Sequence, residues 1–180
     1  MTYRHPSRPL PRLWLMTDER QGDSLWAALD NLPRGAGVIV RHYSLSDAER
    51  RVLFKKVVRR ARRRLRVLLA GRSAAAMRAD GMHGAGPRST RPMLRTLGAH
   101  SRSEIVAAER ARADLVFVSP VFPTRSHPGA RTLGRVRFGL MIRGSRVPVI
   151  ALGGITPERA RSLNGFDIHG WAAIDAWTPR

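Results

Sequence analysis

The sequence predicts an α/β protein built as a (β/α)8 TIM barrel, and three observations lead there. Short apolar, β-branched runs alternate along the whole chain with stretches of helical periodicity, the pattern of a parallel sheet with crossover helices. Eight such runs are found, which is the number a closed barrel needs. Two of them, within ADLVFVSPVFPTRSHPGARTLG (Ala113 to Gly134) and VPVIALGGIT (Val147 to Thr156), end in loops that collect Gly, Ser, Thr, Arg and His.

The strands are expected at Leu13 to Met16, Gly37 to Arg41, Val67 to Leu69, Gly81 to His83, Arg95 to Ala99, Leu115 to Ser119, Val147 to Leu152 and His169 to Ile174. Helices are expected at Ser24 to Leu32, Ser46 to Leu65, Ser103 to Arg112, Val136 to Ile142 and Pro157 to Leu163. Ser46, Ser103 and Thr156 suit N-caps, and Pro157 stands where a first helical turn tolerates it. With 180 residues the barrel must be trimmed, because such barrels usually begin near ~200. Only a short helix fits between Leu69 and Gly81, and no last helix is expected after Ile174. Trp171 and Trp177 then need cover from the N-terminal segment or a second subunit, or stay exposed. Residues 1–12 read as a basic, loosely ordered segment and 13–180 as one barrel domain.

Composition narrows the function classes. There is no Cys, which excludes disulfides, thiolate nucleophiles and thiolate metal sites. The start, MTYRHPSRPLPR, lacks an apolar h-region and no apolar run approaches a membrane span, so a cytoplasmic protein without a membrane partner is expected. The net charge of +20 raises nucleic acid as a partner. Against that, 31 of the 33 basic residues are Arg, spread through nearly every segment. In KKVVRRARRRLR (Lys55 to Arg66) the apolar residues keep helical spacing and leave the cations on a solvated face. Nucleic acid is therefore not the expected partner.

LWLMTD (Leu13 to Asp18), DGMHG (Asp80 to Gly84), GAHS (Gly98 to Ser101), SPVFPTRSHPG (Ser119 to Gly129) and PVIALGGI (Pro148 to Ile155) occur in an order and at a spacing that resemble the thiamine phosphate synthase and thiazole tautomerase family. The resemblance runs from about Leu13 to Asp175. It implies a barrel whose C-terminal mouth joins hydroxymethylpyrimidine pyrophosphate to thiazole phosphate, with magnesium as cofactor. It also implies phosphorylated small molecules as partners, and it leaves a homo-oligomer open.

Carried over residue by residue, Arg41 matches the Arg of the family's Gln-Leu-Arg-Glu-Lys motif, which implies contact with the pyrophosphate; the motif's Gln and Lys are here Ile39 and Tyr43. Thr124 matches the first Thr of the Pro-Thr-x-Thr-Lys loop, with Arg125 between, and Ser126 and His127 stand where its second Thr and Lys would be. Hydroxyls and amides there suit a phosphate, although a Pro- and Gly-bracketed turn fits the same residues. Gly153 and Gly154 either let amides approach a phosphate or make a tight strand-to-helix turn. His83, His100 and Ser101 are candidates for proton transfer or ligand hydrogen bonds, or ordinary rim residues.

Departures qualify the expected activity. The family's magnesium-holding Asp after strand three falls in AGR (Ala70 to Arg72) and its second Asp in GMHGAGPR (Gly81 to Arg88), so both carboxylates are missing and no metal ligand is assigned. Arg72 and Arg88 are cations at those positions, and Asp18 is the nearest remaining carboxylate. Asp175 replaces a Ser of strand eight, and Pro120 stands where the tautomerase has its catalytic His. The expected function is thus a thiamine phosphate synthase-like transferase with impaired or altered catalysis. A non-catalytic binder of phosphate esters or thiamine precursors is the alternative, and a basic RNA-associated protein a weaker one.

Overall fold

A computed structural model describes residues 9–71, 79–84, 93–126 and 128–178. Eight parallel strands close into a barrel in chain order: β1 (Leu13–Met16), β2 (Gly37–Val40), β3 (Arg66–Ala70), β4 (Gly81–His83), β5 (Leu94–Ala99), β6 (Leu115–Val118), β7 (Val149–Ala151) and β8 (Gly170–Ala173). Closure is by β1 on β8, with Trp14 opposite Ala172. The outer helices are α1 (Ser24–Asn31), α2 (Asp47–Ala61), α3 (Arg102–Arg110), α4 (Gly134–Ile142) and α5 (Pro157–Arg161).

Strand side chains alternate between two environments. Trp14, Met16, Ile39, Leu68, Leu115 and Phe117 fill the barrel interior, while their neighbours Leu15, Val38, Leu69 and Val116 face the helices. A parallel sheet buried on both faces needs near-continuous apolar strands, which is why these runs are legible in the sequence. Inside, Trp14 and Phe117 meet edge to face at 5.3 Å, and Phe117 meets the His83 ring at 5.1 Å, forming a column from the floor to the mouth. Trp14 fits because the residue opposite it is Gly37, where a Cβ would collide with the indole.

Several boundaries differ from expectation. Helix α2 stops at Ala61 rather than Leu65, because Arg62 and Arg63 adopt left-handed backbone (φ 46° and 58°) and turn the chain. The cap of α3 is Ser101, not Ser103: its hydroxyl accepts from the Glu104 amide at 3.3 Å. Ser46 and Thr156 do cap α2 and α5. Residues 10–12 are not loose but close the floor, since Leu10 packs on the interior cluster, Pro11 O accepts from Trp14 Nε1 (2.9 Å) and Arg12 O accepts from the Trp171 amide (2.8 Å). The short helix expected between Leu69 and Gly81 falls largely outside the described residues.

No helix follows β8 among the described residues. Trp177 covers the seam instead: it stacks on Trp171 (4.9 Å, 7° between planes) and donates its Nε1 to the Trp14 carbonyl at 3.2 Å. Among the described residues no helix is long and apolar enough to cross a membrane.

Gly37→Ala should destabilise the fold by about 1–3 kcal/mol, because a hydrogen-bonded indole has nowhere to move. Urea unfolding monitored by tryptophan fluorescence checks it; an unchanged midpoint would mean that Trp14 has slack.

Candidate functional site

Eight of the site residues singled out in the sequence, Arg41, His83, His100, Thr124, Arg125, Ser126, Gly153 and Gly154, line one cavity of about 990 Å³ at the C-terminal ends of the strands. His127, Arg72, Pro87 and Arg88 lie outside the described residues. Ser101 is spent on capping α3 and on a 2.9 Å contact with the Ser103 hydroxyl.

On the β1–β2 side the chain builds a fixed guanidinium. Thr17 follows β1, and its hydroxyl accepts from the Arg41 amide (3.0 Å) and meets His42 Nδ1 at 3.0 Å. Arg41 donates Nε to the Thr17 carbonyl (2.7 Å) and Nη2 to Asp18 Oδ2 (2.8 Å), and among the described residues no acceptor is paired with Nη1. The other Asp18 oxygen accepts from Arg20 Nε at 2.7 Å. Burial pushes the Asp18 carboxyl up, but the hydrogen bonds and charge of Arg20 and the charge of Arg41 outweigh it and hold it below the usual carboxylate range. His42 is buried with φ 37°, and burial lowers its pKa; Glu19 and Asp18 oppose this while Arg41 and Arg50 reinforce it.

His83 is the polar end of the aromatic column. Its Nδ1 lies 2.9 Å from Thr96 Oγ1, and the Thr96 hydroxyl points at the Met82 carbonyl (3.4 Å). With the hydroxyl proton given to that carbonyl, the Thr oxygen accepts from Nδ1–H, which leaves Nε2 an acceptor in the cavity wall. Burial, reinforced by the Arg41 charge, lowers the His83 pKa to about 4, so the ring is neutral at physiological pH. His100 is different: its side chain is 66% exposed and pairs with Glu104 at 3.3 Å. It reaches the rim without being positioned by the barrel interior.

The β6 and β7 loops form the opposite wall. The Thr124 and Ser126 hydroxyls meet at 3.0 Å. Gly153 and Gly154 have φ of 96° and 60°. They also lie against the β6 loop, so a Cβ on Gly153 would stand 2.7 Å from Pro120 Cα and one on Gly154 2.9 Å from the Phe122 carbonyl oxygen. The pair therefore makes a tight strand-to-helix turn that packs closely on the β6 loop. Among the described residues no acceptor is paired with their amides. Asp175, a carboxylate beside this loop, is paired with Arg125 at 3.0 Å, so its charge is not presented alone to an incoming anion.

The described residues do not fit a magnesium ion. Hard cations need several oxygen donors. Asp18 already has both oxygens on guanidinium groups, and Ala70 and Gly71 at the end of β3 bring no side-chain oxygen. Among the described residues no group of three His, Asp or Glu converges as metal ligands would.

Sequence reasoning assigns nothing to Arg20, Thr17, Thr96 or Arg50. Thr96 is found only through register, since it stands opposite His83 across the β4–β5 ladder. Arg20 has a local signal, two residues after Asp18, but one that is hard to notice among 31 arginines.

A closed (β/α)8 barrel with guanidinium groups, hydroxyls and glycines gathered at the C-terminal mouth defines a TIM-barrel protein with its candidate site at the end where such barrels carry theirs. The chain matches the thiamine monophosphate synthase family over residues 13–177 and belongs to it. It is 30% identical to a protein of Aquifex aeolicus named "Putative thiamine-phosphate synthase 2", over 92% of this chain and 96% of that one. The thiamine-phosphate synthase of Pyrococcus furiosus matches over a shorter stretch, at 32% identity over 43% of this chain and 37% of that protein. Among solved structures, a thiamine phosphate pyrophosphorylase from Pyrococcus furiosus superposes with a TM-score of 0.75 at 25% identity, covering 92% of this chain and 86% of that one. FabK from Thermotoga maritima, at 14% identity and a TM-score of 0.70, shares the fold alone.

A depressed His83 pKa means that the folded state binds fewer protons than the unfolded chain between about pH 4 and 6.5. The stabilisation is fully present above 6.5 and is lost as pH falls toward 4, by roughly 3 kcal/mol in all for this group. NMR titration should find the His83 ring neutral down to about pH 5. A midpoint near 6.5 would show the ring to be solvated.

Proposed function

We propose that this protein joins hydroxymethylpyrimidine pyrophosphate to thiazole phosphate in thiamine biosynthesis, with catalysis altered by the loss of the magnesium carboxylates. The observation that carries the reading is that two anion-receptive walls, Arg41 just after β2 and the Thr124–Ser126 and Gly153–Gly154 loops after β6 and β7, line one cavity. A two-substrate reaction in which both partners carry phosphate calls for such a pair.

In this reaction the bond from the pyrimidine methylene carbon to the pyrophosphate oxygen breaks, and the thiazole nitrogen captures the cation. The protein's work is to stabilise separated charge in a site that excludes water. Arg41, already oriented by Thr17 and Asp18, is placed for the leaving pyrophosphate. Glycine amides and the two loop hydroxyls suit the thiazole phosphate. Neutral His83, with Nε2 as acceptor, suits an amino group of the pyrimidine, where electron donation supports the cation. A cytoplasmic location belongs to the same proposal.

Binding without turnover is the second reading, favoured by Asp18 having both oxygens on guanidiniums and by Ala70 and Gly71 where the family carries metal-holding groups. Purified protein incubated with both substrates, with thiamine phosphate followed by chromatography, separates the two. Product is expected, and Gly154→Ala should lower kcat/KM for thiazole phosphate by about tenfold or more, since its Cβ would press on the β6 loop carbonyls. Tight binding of both substrates with no product would leave the binder.

A further inference from the structure

Arg50 stands in the first turns of α2, outside the network just described, and is only 7% exposed. Among the described residues no carboxylate pairs with it. Its Nη2 donates to the Ala70 carbonyl at the end of β3, its guanidinium lies 5.3 Å from the centre of the Tyr43 ring, and its buried Nε has no hydrogen-bond partner. A buried cation with an orphaned donor and no counter-charge is costly, and such groups in native proteins are expected to meet an anion.

The residue after Ala70 is Gly71, in left-handed backbone at φ 84°. A Cβ there would stand 3.8 Å from Arg50 Nη1, and apart from the glycine's own chain neighbours no other heavy atom of the described residues comes within 4 Å of that point. Any larger side chain would therefore begin to cover the guanidinium from the end of β3, whereas glycine sets no side chain against it. The same part of the mouth holds Tyr43 and Arg41 on the cavity wall. Tyr43, whose ring the Arg50 guanidinium covers, thus joins Arg50 to the wall that carries Arg41.

We propose that Arg50, reached past Gly71, is a second guanidinium subsite that with Arg41 holds the diphosphate of a pyrophosphate ester, so that the ester binds without a divalent cation. The inference rests on the reading of the mouth given above. Guanidinium suits the task because its planar fork donates to two phosphate oxygens at once and keeps its charge when buried. A ligand oxygen beside Gly71 then supplies the counter-charge that the chain does not.

The test is calorimetric titration of inorganic pyrophosphate into the whole protein, in excess EDTA and again in magnesium. The expected result is similar affinity in both buffers. Arg50→Gln should weaken binding by about tenfold or more, with Arg50→Lys intermediate. Gly71→Asp, which sets an internal carboxylate against the same guanidinium, should weaken it comparably while Arg50 remains, and this variant decides the matter if Arg50→Gln fails to fold. Thiazole phosphate, the ligand assigned to the β6–β7 wall, should bind all these variants as it binds wild type. Pyrophosphate binding that requires magnesium, or that is unchanged in both Arg50→Gln and Gly71→Asp, overturns the inference while leaving the mouth a phosphate site. Failure of wild type to bind pyrophosphate or thiazole phosphate in either buffer overturns both.

Discussion

The packing of one aromatic column inside a closed ring of strands is the constraint on which the rest of the molecule depends. Trp14, Phe117 and His83 occupy the barrel axis in succession, each edge to face with the next. The lower end is fixed by the hydrogen bond of Trp14 to Pro11 and the upper end by that of His83 to Thr96. Strand number and shear set the diameter of the barrel, and because interiors are close-packed the column fills it and holds the strands that carry the mouth loops. It also delivers a neutral imidazole to the cavity wall, a position in which burial works against protonation.

Charge at the mouth follows a simple rule. Asp18 is taken by Arg20 and Arg41, and Asp175 by Arg125. Guanidinium groups remain in excess, as they must in a chain of net charge +20. The mouth is thus cationic without any bound metal, and an anion approaching it meets donors already held in place. Preorganised donors of this kind lower the reorganisation needed when charge develops during a reaction.

Much of the fold was legible because the strands of a barrel are buried on both faces and stand out as apolar runs. All eight were readable, and the loops after β6 and β7 announced themselves through Gly153, Gly154, Thr124 and Ser126. What was not legible depends on contacts far apart in the chain. Ser101 looked like chemistry and is a cap, because the N-cap of α3 lies two residues earlier than its apolar pattern indicates. Trp177 replaces a helix at the seam by reaching Trp14 across 163 positions, a pairing no local pattern encodes. Arg50 stands before the Lys55 to Arg66 run and carries no sequence signal of its own, although its helical position turns it toward β3.

The central claim is that two phosphate groups are held on opposite walls of one mouth, a diphosphate by guanidiniums near β2 and β3 and a monophosphate by the β6 and β7 loops. A crystal structure with a non-hydrolysable pyrimidine diphosphate and thiazole phosphate tests it most directly. The account predicts diphosphate density against Arg41 and beside Gly71, and monophosphate density against the Gly153 and Gly154 amides and the Thr124 hydroxyl. Both ligands on one wall, or a diphosphate held through a metal ion on Asp18 with Arg41 displaced, would contradict it.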